Sequence, residues 1–174
     1  MTQFLVFTAV GTDRTGIVSE ITELASDFGC NIVDSRMAIL GNEFTLIMLL
    51  SGKRSAINQF ETRLPLLAHS LQLLTISKRT SEHEPKFVTK YLEVKVTSKD
   101  TPGILKDITR FFAKRNMDLS SLKSISCKDD SAQINLSIDA TTDVNTEQLN
   151  QDFQNLCQQL QVKGEIFITT NPTV

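Results

Sequence analysis

The chain has 174 residues, 40% hydrophobic and 22% charged, with a formal net charge of −2, values ordinary for a soluble globular protein. No stretch approaches the roughly 18 consecutive apolar residues of a membrane span, and Met1-Thr2-Gln3-Phe4 lacks the basic and apolar regions of a secretion signal. The small negative charge speaks against unaided binding to a polyanion, so the expectation is a cytoplasmic protein with no membrane and no direct nucleic-acid contact.

Gln3 to Gly11 mixes Phe, Val, Leu and Thr with almost no charge, which predicts a strand in the middle of a sheet. From Ile17 the period becomes helical, with Ile17, Val18, Ile21, Leu24, Ala25 and Phe28 on one stripe and Gly29 closing it. Cys30 to Leu40 and Glu43 to Leu50 predict a hairpin around Gly41-Asn42. Ile57, Phe60, Leu64 and Leu67 give a second helix disturbed near Pro65, and Leu71 to Lys78 a fourth strand. The order is β-α-β-β-α-β. A polar, proline-containing stretch follows, Arg79 to Lys86, the composition of a linker.

The second half repeats the order. Tyr91 to Ser98 predicts a strand, and Ile104, Leu105, Ile108, Phe111 and Phe112 the stripe of a helix. Met117 to Cys127 and Ser131 to Ala140 form a hairpin around Lys128-Asp129-Asp130. Its second strand alternates as Ala132, Ile134, Leu136 and Ile138, so its other face should be wet. Leu149, Phe153, Leu156 and Leu160 mark the last helix and Val162 to Thr170 the last strand. The expected class is α+β: two ferredoxin-like domains in tandem, each an antiparallel sheet with two helices on one face. Residues 1–80 make the first domain, 81–89 the linker and 90–174 the second. Domains this small bury only part of their surface, so a homo-oligomer is among the expected states.

Patterned catalytic residues are missing. His69 precedes a strand and His83 lies in the linker, neither beside a patterned nucleophile. Cys30, Cys127 and Cys157 are widely separated and form no C-x-x-C pair, so they read as reduced, buried residues with no metal role. No phosphate-cradling or zinc-binding signature occurs. A non-enzymatic binding module without cofactor is the expectation.

What does repeat is a loop. Asp13-Arg14-Thr15-Gly16-Ile17 returns 87 positions later as Asp100-Thr101-Pro102-Gly103-Ile104, each between a predicted strand and a predicted helix. The free N–H groups of a helix's first turn, backed by the helix dipole, form an anion site, and glycine lets a ligand carboxylate approach. Asp13 and Asp100 either cap the helix or accept hydrogen bonds from a ligand ammonium group. Such a loop could hold both ends of an α-amino acid. The plainer alternative is structural: aspartate caps, Pro102 begins the first turn and glycine closes it. Asn31, at the head of the second strand, could place an amide near the loop. Its counterpart is Asp118, which would repel a carboxylate, so the halves should differ in affinity. Between Lys95 and Lys128 there are eight basic and three acidic residues, and Lys106, Arg110 and Lys114 share helical spacing. They form a solvated face or a dock for an acidic partner.

The D-x-x-G-I loop between first strand and helix, followed by Gly29-Cys30-Asn31-Ile32 at the helix exit, resembles the ACT domain, a family of small regulatory modules. The resemblance covers about Thr2 to Arg79 and Lys90 to Thr170. It departs from the family pattern at Thr15, where proline is usual, and at Asp118, where asparagine is often seen. It implies amino-acid binding, commonly at interfaces between paired domains. Two such units with no attached enzyme or DNA-binding domain imply an accessory repressor that responds to glycine and contacts a DNA-binding transcription factor. The alternative is a regulatory subunit of an amino-acid biosynthetic enzyme. Such a subunit carries one unit of this kind, whereas the loop here occurs twice. RNA binding needs stacking aromatics and basic residues on the central strands; Glu43 to Leu50 and Ser131 to Ala140 offer only Phe44 and no basic residue.

Overall fold

The computed structural model describes residues 1–82, 88, 90–99, 101–127, 130–140 and 144–169. The chain divides into two compact units, Met1–Glu84 and Pro85–Val174. Most of the expected linker, 81–89, lies outside the described residues.

The first unit runs β1 (Thr2–Thr12), α1 (Ile17–Asp27), β2 (Asn31–Leu40), β3 (Glu43–Lys53), α2 (Arg54–Ser70) and β4 (Leu74–Thr80). Its sheet has the order β2-β3-β1-β4, with every neighbouring pair antiparallel. The uncharged β1 is central, as its composition predicts. Alternation along β1 and β3 sends Leu5, Phe7, Ala9, Phe44, Leu46, Met48 and Leu50 to one face, where they are buried with Ile17, Ile21 and Ala25 of α1 and Ile57, Phe60 and Leu64 of α2. Phe7 and Phe60 rings sit 5.4 Å apart across this layer. Each of the buried Leu, Ile, Phe and Met side chains here is worth about 1.5–3 kcal/mol relative to exposure.

Two expectations need correction. The helix α2 passes through Pro65 unbroken; the proline removes only the hydrogen bond that position 65 would donate to the Glu61 carbonyl. The apolar run Leu71 to Leu73 does not start β4, which begins at Leu74. Instead it closes α2: Leu71 N–H reaches Leu67 O at 2.9 Å, Leu73 N–H reaches Ala68 O at 2.8 Å, and Gln72 turns left-handed at φ 57. Leu71 and Leu73 are buried in the core. An apolar helix terminus and an apolar strand have the same composition, and the period was too short to separate them.

The second unit repeats this with β5 (Lys90–Lys99), α3 (Ile104–Ala113), β6 (Asp118–Ser126), β7 (Ser131–Ala140), α4 (Thr146–Leu160) and β8 (Lys163–Thr169), in the order β6-β7-β5-β8. Its separate core gathers Leu92, Val94, Val96, Ile134, Leu136 and Ile138 under Ile108, Phe112, Leu149 and Phe153. Phe111, Phe112 and Phe153 form a ring cluster with centroids 5.0 to 5.7 Å apart. On β7 the residues alternating with the buried set are exposed or half-buried, as expected. Lys128 and Asp129 of the predicted turn lie outside the described residues.

Candidate functional site

The two repeated loops enter their helices through the same backbone conformation at glycine. In the first, β1 ends at Thr12, Asp13 donates its N–H to the Asn42 carbonyl at 3.0 Å, and Gly16 leads into α1 at φ 97, ψ −11. In the second, Gly103 leads into α3 at φ 100, ψ −18. A side chain at this φ would crowd the backbone, so glycine is required by conformation rather than by space; a Cβ at either position would meet nothing within 4 Å.

Both glycines are the helix N-caps, so neither offers a side-chain acceptor to the first turn. The contrast is α4, where Asn145 Oδ1 accepts the N–H groups of Glu147 and Gln148, each at 3.1 Å. Asp13 lies ahead of the cap residue and does not occupy the capping position, so the capping role offered for it from sequence gives way to Gly16. The first turns of α1 and α3 therefore present donors without a side-chain cap, the arrangement that receives a carboxylate. Asp13, Arg14, Thr15 and Gly16 are exposed while Ile17 is buried and anchors the loop. In the second loop Thr101, Pro102 and Gly103 are exposed and Ile104 is buried; Asp100 lies outside the described residues. Pro102 has no N–H, so that loop has one donor fewer than Arg14-Thr15-Gly16.

Asn31 does not join this loop within its own unit. It pairs with Ser51 across β2 and β3, and Ser51 pairs with Phe4, whereas the loop leaves the opposite end of β1 at Thr12. Eight residues of strand separate those ends, about 26 Å at about 3.3 Å per residue. The idea that its amide reaches the loop is corrected by the path of α1, which carries the chain back along the sheet. Asn31 instead lines an open groove of about 470 Å³ beside the C-terminal half of α1, with Thr22, Ala25, Ser26, Gly29, Cys30 and Ile32. The groove was not legible in the sequence, because Thr22 and Ser26 carry no motif. Asp118 occupies the corresponding place in the second unit, opposite Asp139.

Lys106, Arg110 and Lys114 are all exposed, on the side of α3 away from Ile104, Ile108, Phe111 and Phe112, which are buried. Lys106 also lies 3.5 Å from Asp107. A neighbour that sequence reasoning passed over is Arg115. Its guanidinium stacks on Phe111 at 3.8 Å and donates to Asp152 at 2.8 Å. The hydrogen bond from Arg115, followed by one from Gln148, holds the Asp152 carboxyl below the usual carboxylate range. The three cysteines are free; Cys157 is buried and Cys30 and Cys127 half-buried, and burial pushes the thiols of Cys30 and Cys157 up. Among the described residues no cluster of three metal-ligating side chains forms, and no helix is long and apolar enough to cross a membrane.

Comparison with known proteins matches an ACT domain to residues 3–77. The glycine cleavage system transcriptional repressor of Escherichia coli (strain K12) is 39% identical over 168 residues, 94% of this chain and 88% of that protein. The chain belongs to the family of glycine cleavage system transcriptional repressors. A solved structure assigned to such a repressor is 42% identical and superposes with a TM-score of 0.81 over 98% of this chain and 99% of that one. A protein of unknown role from Galdieria sulphuraria, 20% identical, shares the fold with a TM-score of 0.75 over 97% of this chain and 99% of its own. The tandem βαββαβ architecture expected from the sequence is thus the architecture of the family.

Proposed function

We propose that the protein is a non-enzymatic, cytoplasmic regulator of transcription that responds to a small amino acid, glycine in the first place, and acts by contacting a DNA-binding transcription factor. The observation that carries this is the similarity along nearly the whole chain to a repressor of the glycine cleavage system. Supporting it locally is the loop made twice with a left-handed glycine and no side-chain cap.

In this reading the first-turn N–H groups beyond Gly16 receive the ligand carboxylate and Asp13 accepts from its ammonium group. The N-terminal loop is the stronger contact, because the second lacks the donor that Pro102 removes. Asn31 enters the same site when supplied by a second copy of the chain. All ten residues of the edge strand β2 are exposed, and an exposed edge pairs readily with another strand. Antiparallel pairing of β2 with β2 of a second copy lays Asn31 against that copy's Gly41-Asn42 turn, and Asn42 holds the Asp13 backbone. The basic face of Lys106, Arg110 and Lys114 is the proposed dock for the transcription factor. Titration calorimetry with glycine tests the ligand, with saturable heat expected; absence of heat with glycine, serine and alanine would remove this reading. Capture of the cognate transcription factor, lost on charge reversal of Arg110, tests the dock.

A further inference from the structure

The two sheets have the same topology, yet their outer faces, the ones turned away from the helices, differ in chemistry. Directly opposed residues of antiparallel strands share a face, so the registers define rows across each sheet. In the first unit one row reads Asp34, Leu49, Val6, Lys78, and the next Arg36, Ile47, Thr8, Ile76. A third row, Ala38, Thr45, Val10 and Leu74, continues the apolar surface. Here Ile47 is 47% exposed, Ile76 77% and Leu74 78%. In the second unit the equivalent rows include Lys123, Asn135, Lys95 and Glu165, and Ser137, Glu93 and Phe167. An antiparallel sheet can leave one face in water, and the second unit shows that this fold stands with a charged outer face. The apolar outer face of the first unit is therefore not a requirement of its own folding.

We infer that the outer face of the first sheet is a self-association surface, covered by the same face of a second copy of the chain. The face is self-complementary, as a twofold contact requires. Its charges sit at the rim: Asp34 and Arg36 on β2 at one edge and Lys78 on β4 at the other. Where the twofold axis runs along the strands, each row meets itself reversed, so Asp34 opposes Lys78 of the second copy and Leu49 opposes its Val6. Where the axis runs across the strands between these two rows, Asp34 opposes Arg36 of the second copy and Leu49 its Ile47. In both, the carboxylate meets a cation and Leu49 meets an apolar residue at the centre, while the remaining rim cation, Arg36 in the first case and Lys78 in the second, lies over Ile76. Four strands about 4.8 Å apart and about nine residues at about 3.3 Å give a face of about 600 Å² per copy. The total of about 1,200 Å² lies at the small end of specific interfaces, which predicts a dissociable contact.

The test is multi-angle light scattering of the full chain across a concentration series. Wild type should show an assembly whose mass is halved by Ile76→Lys, which sets like charges against each other in either geometry, with the dissociation constant of this contact raised about tenfold or more, equivalent to about 1.4 kcal/mol. At concentrations where wild type is dissociated the thermal melt should be unchanged, because the side chain is then exposed. Leu74→Lys is the second variant should Ile76→Lys disturb folding, and Phe167→Glu on the other sheet should leave the mass alone. Asp34→Lys should weaken assembly, and Lys78→Glu or Arg36→Glu in the same chain should restore it, identifying the axis. A monomeric wild type, an unchanged mass in both Ile76→Lys and Leu74→Lys, or rescue by neither charge swap would overturn the inference. Glycine calorimetry on Ile76→Lys keeps this result separate from the ligand reading, since the variant leaves the loop, Asn31 and the β2 edge intact.

Discussion

Replacing Gly16 by alanine isolates the backbone demand of the loop. At φ 97 and ψ −11 the residue is left-handed, and an added Cβ has no heavy atom within 4 Å, so no steric collision with the rest of the protein contributes. What remains is the cost of holding an L-residue there, about 1–2 kcal/mol. The usual gain from stiffening the unfolded chain, about 0.4–1 kcal/mol, is outweighed at positive φ. For a unit of this size about 1 kcal/mol corresponds to about 4–8 °C in Tm, so the transition of the first unit should fall by about 4–16 °C. Gly103→Ala should lower the second unit's transition by a similar amount, because φ is 100 there and the two cores are separate clusters. Differential scanning calorimetry of both variants reads this. If Gly16→Ala melts at or above the wild-type temperature, the loop does not hold the left-handed turn and the uncapped donor site built on it is lost as well.

Gly164→Ala should also destabilise, by steric crowding instead of conformation, since its Cβ would lie 2.6 Å from Cys157 Sγ and 2.8 Å from Phe153. Overpacking of this kind costs about 1–3 kcal/mol, and combining it with Cys157→Ala should recover part of the loss in urea titrations. The hydrogen bond from Arg115 that lowers the Asp152 pKa from its ordinary 3.8 adds stability that is present above the unfolded carboxylate pKa and lost as pH falls through the lower folded value. Asp152→Asn should therefore flatten the acid limb of the stability profile below about pH 4, and an unchanged limb would refute that assignment. Cys157, buried with its thiol pushed up, should react with a thiol reagent at pH 8 far more slowly than in urea; equal rates would contradict its burial.

The tandem fold was legible because both periods are strong: Leu5, Phe7 and Ala9 alternate under Ile17, Ile21 and Ala25, and all six are buried. The special backbone at Gly16 and Gly103 was legible because repetition at a fixed offset marks a shared backbone requirement. Their role as helix caps was not, since D-x-x-G reads equally as an aspartate cap. The start of β4 was missed because Leu71 and Leu73 serve α2's terminus with the composition of a strand. Distance was the main failure. Asn31 follows the loop's helix in sequence, yet α1 runs the length of the sheet, so adjacency along the chain became separation in space. The apolar outer face was hidden for a related reason: Val6, Ile47 and Ile76 lie on three different strands and form a patch only after pairing. Their mixture with core residues in each strand looks like ordinary strand composition.

Titration calorimetry of glycine into wild type, Asp13→Ala and Asn31→Ala reads whether both residues serve one ligand site. Wild type should bind glycine saturably. Both variants should lose affinity about tenfold or more, the scale of one hydrogen bond to a charged group, although the two residues stand at opposite ends of one sheet. No heat with wild type, or wild-type affinity in Asp13→Ala, would contradict it.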